Sequence, residues 1–467
     1  MKIKILQNNV VLFLLVILGF FVTNTTVLSQ ERSNTVRAAV PEGKISHILV
    51  IDLENKRFDV TFAANSPATY LNSVLLKQGE LLVNYYGTSH NSLGNYLTQI
   101  SGQAQTVTIT NNCGIFTNIL PGTVSGDKIN FPGQIIGDGC VFPAASKTSK
   151  GALTIVDQLD KQYIENKYGN AEVKRRAPKP KRLNWRGYME DMGNNPVRDF
   201  GTTYPLGGTT CAHPPIGSHD LSQGAVPDDQ YATRHNPFVY FHSIIDDQAR
   251  CDAHVVPLGK LTVGTNGAPD VFSGSLYNDL RSEKRTPKFM LVTPNLCNDG
   301  HDATCAAPNV EGTLTGGLVA ADLWLKHWMP MIFKSPAYKN GSMLVVLTFD
   351  ESVGDARACE KPNQADCKAP ISVNLTNPGY KPNSGQTPPT TPFDYPGGGQ
   401  VGAVLFNKRF IKPGSINTTG SYNHYSALRS YEDLLGITKG GDDRKGHIGF
   451  AAWPTMKPFG RDVFNRR

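Results

Sequence analysis

Several features are missing from this chain, and each absence excludes something. Its 8 cysteines include no C-x-x-C pair, and their spacings fit no zinc module, which argues against a structural zinc cluster. Beyond residue 22 no segment is apolar for the roughly 20 residues that a bilayer-spanning helix needs. There is no internal repeat and no low-complexity tract. A large excess of one charge is also lacking: 46 Lys and Arg stand against 39 Asp and Glu, a net of +7. That is too small to imply a nucleic-acid partner. The basic stretch from Lys174 to Arg182 contains two prolines and reads as a solvated loop.

Residues 1–29 lack acidic residues altogether. They open with Lys2 and Lys4, run through apolar residues from Val10 to Val22 and reach the small pair Val27 and Ser29. This is the layout of a secretory signal peptide. A retained anchor is the competing reading, but the apolar run is short for one. Removing Lys2 and Lys4 with the leader lowers +7 to +5. The expectation is a secreted or periplasmic protein with no membrane span after cleavage. All cysteines lie beyond the leader, and an even number suits an oxidising compartment. Disulfides between neighbours in sequence are expected, such as Cys297 with Cys305 and Cys359 with Cys367.

Short apolar runs bounded by turn residues predict buried strands at Ile45–Leu53, Lys288–Thr293, Ser342–Phe349 and Val401–Phe406. Helical patterns at Leu93–Ser101, Leu153–Tyr168, Leu318–Ile332 and Ser426–Leu435 alternate with them. That alternation predicts an α/β fold with a mostly parallel sheet sandwiched by helices. Residues 103–150, 196–230 and 378–399 break the pattern and are read as loop insertions braced by disulfides. The expected organisation is a signal peptide at 1–29, an N-terminal extension at 30–44, a catalytic domain at 45–440 and a C-terminal tail at 441–467 packed on or following it.

In open α/β sheets, ligands collect beyond the carboxyl ends of the strands. The first strand runs into Glu54-Asn55, the third into Asp350-Glu351, and the second into a loop with Asp299, His301 and Asp302. One acidic residue after a strand is usually a cap or a solvated turn. Carboxylates at two separate strand ends can instead converge on one cation. Ser92 stands where a helical pattern starts, a place that favours anions, although a serine there is ordinarily an N-cap. Asn95, three residues on, shares its face.

The string His90-x-Ser92-Leu93-x-Asn95-Tyr96, with Glu54-Asn55 before it and Phe349-Asp350-Glu351 after it, resembles the phosphoesterase family of acid phosphatases and phospholipases C. Supporting strings are Tyr188 to Met192, Arg234-His235-Asn236-Pro237-Phe238, Pro294 to Asp302 and Tyr422 to Ser426. The likeness is strongest to the secreted acid phosphatase branch, which includes a phosphatidylinositol 3-phosphate phosphatase. It implies an alkaline-phosphatase-like core and a phosphate monoesterase with Ser92 as nucleophile and a phosphoserine intermediate. It also implies a cation held by Glu54, Asn55, Ser92, Asp350 and Glu351, and a phosphoryl contact from Asn95. An oxygen-rich set suits Ca²⁺, Mg²⁺ or Mn²⁺, with Zn²⁺ left open. His90, His235, His301 and His424 are the candidate proton donors. Asp299, His301, Asp302 and His424 could alternatively bind a second cation or phosphate.

The implied substrate is a phosphorylated small molecule or a phosphoinositide. A phospholipase C-type phosphodiesterase and a non-catalytic exported phosphate binder are the alternatives. The family pattern carries proline on both sides of the serine, where this chain has Asn91 and Gly94. That departure is expected to loosen the turn that aims Ser92.

Overall fold

The computed structural model describes residues 39–121, 133–135, 137–144, 151–160, 164–165, 171–172, 183–200, 209–352, 397–454 and 456–466. The leader, Cys359, Cys367 and most of the 378–399 stretch lie outside them. Eight strands form the central sheet: β1 (His47–Leu53), β2 (Glu80–Leu82), β3 (Trp185–Met189), β4 (Val255–Pro257), β5 (Phe289–Thr293), β6 (Met343–Phe349), β7 (Ala403–Phe406) and β8 (Ser415–Asn417). Their spatial order is β8-β2-β7-β6-β1-β5-β3-β4. From β6 to β4 all neighbours pair in parallel, and β7 runs against the others. The sheet is therefore mostly parallel, as the alternation of elements predicts.

The central strands lie inside because they are mostly apolar, and the polar His47 and Asp52 of β1 find partners in Pro287 O and the Gln99 amide. In β1 all 7 residues, HILVIDL, are buried, and so are all 7 of β6, MLVVLTF. Full burial of each Ile, Leu or Val contributes about 1.5–3 kcal/mol. Three helices matter for the site: α1 (Ser92–Ser101), α2 (Gly317–Lys334) and α3 (His424–Leu434). Every residue of α1 is buried, and α1 packs beside α3. Gly102, at φ 64°, ends α1 in a left-handed cap that a side chain would resist. Among the described residues no helix is long and apolar enough to cross a membrane.

One expected helix is much shorter than its pattern. The apolar spacing predicts Leu153–Tyr168, but the helix spans Ile155–Leu159, and Ile164–Glu165 pair antiparallel with Ala171–Glu172. Tertiary partners capture its end: the Asp160 carboxylate accepts from Trp185 Nε1 at 2.8 Å and from Arg250 Nη2 at 3.1 Å. Among the described residues, three disulfides join Cys113 to Cys140, Cys211 to Cys251 and Cys297 to Cys305. Each links cysteines adjacent in sequence, as expected. Phe459, Val463 and Phe464 near the carboxyl end are part of the same apolar core as the sheet.

Candidate active site

Sheet register brings the first acids together. Leu53 of β1 pairs with Phe349 of β6, so Glu54 and Asp350 leave adjacent strands side by side. The Asp350 N–H donates to Leu53 O at 2.9 Å, and the Glu54 N–H donates to Asp299 O at 2.8 Å, tying in the loop after β5. Glu54, Asp299 and Asp350 are all buried. Burial pushes each carboxyl upward, and for Asp350 the neighbouring Glu54 adds to the effect. Asp299 Oδ2 has no hydrogen-bond partner. Buried carboxylates without a countercharge are costly.

The start of α1 meets this group. Ser92 Oγ donates to Glu54 Oε2 at 2.8 Å, and Tyr96 OH donates to Glu54 Oε1 at 2.6 Å. His235 Nε2 lies 3.2 Å from the same Oε1, stacked on the Tyr96 ring with centroids 5.2 Å apart. That contact is close but poorly aligned, since His235 Nε2 finds no hydrogen-bond partner by geometry. Burial drives the His235 imidazole well below its ordinary pKa, so it is neutral.

Asn91 precedes Ser92 with φ 74° and ψ 136°, a conformation proline cannot enter. Its N–H donates to Glu351 Oε2 at 3.1 Å, and the same oxygen lies 2.6 Å from His90 Nδ1. A Cβ on Gly94 would sit 2.4 Å from Ser89 Oγ. Both departures from the family string thus belong to one tightly packed turn rather than to a loosened one.

The expected residues do not all face the same point. Asn95 is occupied: its Oδ1 accepts from the N–H groups of Thr88 at 2.8 Å and Ser89 at 2.9 Å, and its Nδ2 donates to Ser89 O at 2.9 Å. It staples the turn, where a phosphoryl contact was expected. Glu351 spends its Oε2 on His90 and Asn91, while its charge still acts on Asp350. His424 is wholly buried between Asp350 O, 2.7 Å from its Nε2, and Tyr85 OH, 3.2 Å from its Nδ1. Burial lowers its pKa to about 4, which suits a neutral buttress. His301 is more open, with Nδ1 2.7 Å from Asp302 Oδ1. That bond raises its pKa.

The donor set fits a hard cation. Glu54, Asp350 and Ser92 present oxygens, and the Asn55 amide lies between the two carboxylates: its nitrogen donates to Glu54 Oε2 at 3.3 Å and to the Asp350 oxygens at 2.9 and 3.1 Å, and its oxygen accepts from His301 Nε2 at 3.2 Å. With a cation among the carboxylates the amide would turn to present its oxygen instead. Among the described residues, no group of three or more His, Cys, Asp or Glu stands ready to hold a metal ion. Glu54 and Asp350 supply only two such residues, and the remaining donors, Asn55 and Ser92, are of other types.

Three neighbours of the site were not singled out from the sequence. Tyr96, four residues after Ser92 on one helix face, could have been found from spacing. Arg234 stands beside His235 in a quoted string; it is 9% exposed, and its charge acts on Glu54 and Asp299. Lys56 feels Asp299, Glu54, Asp350 and Asp302, and no sequence signal marks it.

The chain is similar to a phosphate-repressible acid phosphatase of Penicillium chrysogenum, 25% identical over 280 residues, 60% of this chain and 42% of that protein. It is also similar to a probable acid phosphatase of Kluyveromyces lactis, 25% identical over 122 residues, 26% of this chain and 22% of that protein. The matches therefore span under half the length of either relative. No family model matches the chain. Similar solved structures include an alkaline phosphatase superfamily protein from Vibrio parahaemolyticus, with a TM-score of 0.40 at 11% identity, covering 87% of this chain and 70% of that one. Another is the lipoteichoic acid synthase LtaP from Listeria monocytogenes, with a TM-score of 0.38 at 12% identity, covering 89% and 77%.

Proposed function

We propose that this chain is an exported phosphoesterase that hydrolyses phosphate monoesters through Ser92. The observation that carries the reading is the Ser92 hydroxyl, at the first residue of a buried helix, donating at 2.8 Å to a strand-end carboxylate, Glu54. Sequence likeness to two acid phosphatases supports the reaction class. Three disulfides support an oxidising destination.

Glu54, Asp350, Asn55 and Ser92 are the residues that would hold a divalent cation, which when bound lowers the pKa of a serine hydroxyl and neutralises phosphoryl oxygens. Ser92 Oγ passes its proton to Glu54 Oε2, 2.8 Å away, and attacks phosphorus; the new O–P bond replaces the ester O–P bond, leaving a phosphoserine. His301, charged in the acid range, gives its proton to the departing alkoxide. Arg234 and Lys56 balance the charge of a dianionic monoester. Asn95 and Glu351 hold the turn that aims Ser92. Water then hydrolyses the phosphoserine.

The test is phosphate release from an aryl phosphate near pH 5 to 6, with acid quenching to trap phosphate on Ser92. Turnover and trapped phosphate should both vanish in Ser92→Ala; full turnover in that variant would sink the proposal.

A further inference from the structure

A cavity lies well away from the strand ends. It has a volume of about 580 Å³ and is bounded by the hairpin Lys260–Thr262/Val271–Ser273, the helix Ser275–Leu280 and the last turns of α2. The first turn of α2 is tied to the candidate site, since the Gly317 N–H donates to Asp302 O. Pro330, on the cavity wall, lies about 20 Å further along the helix at 1.5 Å per residue. The two places are separate.

Phe272, Tyr277, Pro330 and Met331 give the cavity an apolar interior. Its charges are unbalanced. Asp270, the acid on its wall, is already engaged: Oδ2 lies 2.7 Å from His327 Nδ1, and Oδ1 accepts from the Gly264 N–H at 3.0 Å. Glu311, on the far side of His327, takes that ring's Nε2 at 3.3 Å and Lys326 Nζ at 2.7 Å. By contrast Arg281 and Lys334 stand exposed at the rim with no carboxylate partner among the described residues. Arg281 holds its guanidinium 5.8 Å from the centroid of the Tyr277 ring, and both residues line the cavity. An apolar interior beneath two unpaired cations is complementary to a ligand with an apolar body and an anionic head. The volume falls in the range of about 300–1,000 Å³ typical of small-molecule sites.

We propose that this cavity binds a monomeric amphiphilic anion, an acyl or alkyl chain ending in one carboxylate, sulfate or phosphate. The experiment is calorimetric titration of the full chain with dodecanoate below its micelle concentration, beside dodecanol and dodecyltrimethylammonium. Dodecanoate should bind at least tenfold more tightly than either. Arg281→Glu combined with Lys334→Glu should weaken it at least tenfold with an unchanged melting temperature, because both side chains are exposed. Met331→Trp, which fills the cavity, should abolish it; if that variant unfolds, the charge reversal decides alone. Equal binding of the three amphiphiles, binding untouched by the charge reversal, or binding only to anionic vesicles would overturn the proposal.

Discussion

Ser92 Oγ and Glu54 Oε2 are 2.8 Å apart although 38 residues separate them in sequence. The contact joins the start of a buried helix to the end of a buried strand, and so places a hydroxyl proton against a carboxylate where charge is concentrated. Removing either partner should act on chemistry far more than on folding. Ser92→Ala is expected to lower kcat on an aryl phosphate by on the order of 10⁶, as for deletion of a serine nucleophile. Circular dichroism melts should show a loss of no more than about 1 kcal/mol.

The backbone at Asn91 gives a second prediction. At φ 74° the residue occupies space open to glycine and closed to proline. Asn91→Gly should retain stability to within about 1 kcal/mol, whereas Asn91→Pro should lose more than about 3 kcal/mol. Restoring proline at position 94 as well should not rescue it, because any Cβ there meets Ser89. Urea unfolding of the three variants checks the order, and a proline variant as stable as the parent would contradict it.

Chelation should abolish phosphate release, and Ca²⁺, Mg²⁺ or Mn²⁺ should restore it better than Zn²⁺, given the all-oxygen donors Glu54, Asp350, Asn55 and Ser92. Asp350→Asn should weaken cation binding by at least about tenfold, read directly by titration calorimetry.

Stability should depend on pH through buried acids outside the site. Burial pushes Glu80 to about 8, with Asp462 adding to the rise, and pushes Asp199 to about 9, with Asp229 adding to it. Both acids bind a proton more tightly folded than unfolded. Their contribution is therefore complete below the unfolded values near 4 and is lost as pH rises towards 8 and 9. His424, lowered to about 4 by burial, works in the other direction: its contribution is present above about 6.5 and lost as pH falls towards 4. Urea midpoints should accordingly fall between pH 5 and 9, and Glu80→Gln should flatten that fall. A midpoint that rises steadily over the range would refute the assignment.

The Cys297–Cys305 disulfide closes a short loop carrying Asp299, His301 and Asp302. Replacing both cysteines with serine should cost about 2–3 kcal/mol by loop closure. Turnover should fall more than in the corresponding Cys211 and Cys251 variant, whose bridge lies beside β4. Equal activities would show that the loop is held without its bridge.

Much of the scaffold was legible in the sequence, because a strand buried on both faces must be continuously apolar. Ile45–Leu53 and Ser342–Phe349 announce β1 and β6 for that reason, and the acids that end those runs announce the Glu54–Asp350 pair. Ser92 at a helix start was legible too, since its apolar spacing begins there. The helix expected at Leu153–Tyr168 is cut to Ile155–Leu159, because a local period cannot register that Trp185 and Arg250 take the Asp160 carboxylate.

What the sequence determined alone is which segments are buried and which polar groups they deliver to the carboxyl edge of the sheet. Where those groups point was decided by tertiary packing. Glu351 follows Asp350 by one residue yet faces His90 and Asn91; Asn95 shares a helix face with Ser92 yet is used up by the turn before it. Arg234 joins the site from 180 residues beyond Glu54, a distance that no local pattern spans. Ser92 and Glu54 were named from the chain; the 2.8 Å between them needed the register of two strands and the docking of one helix.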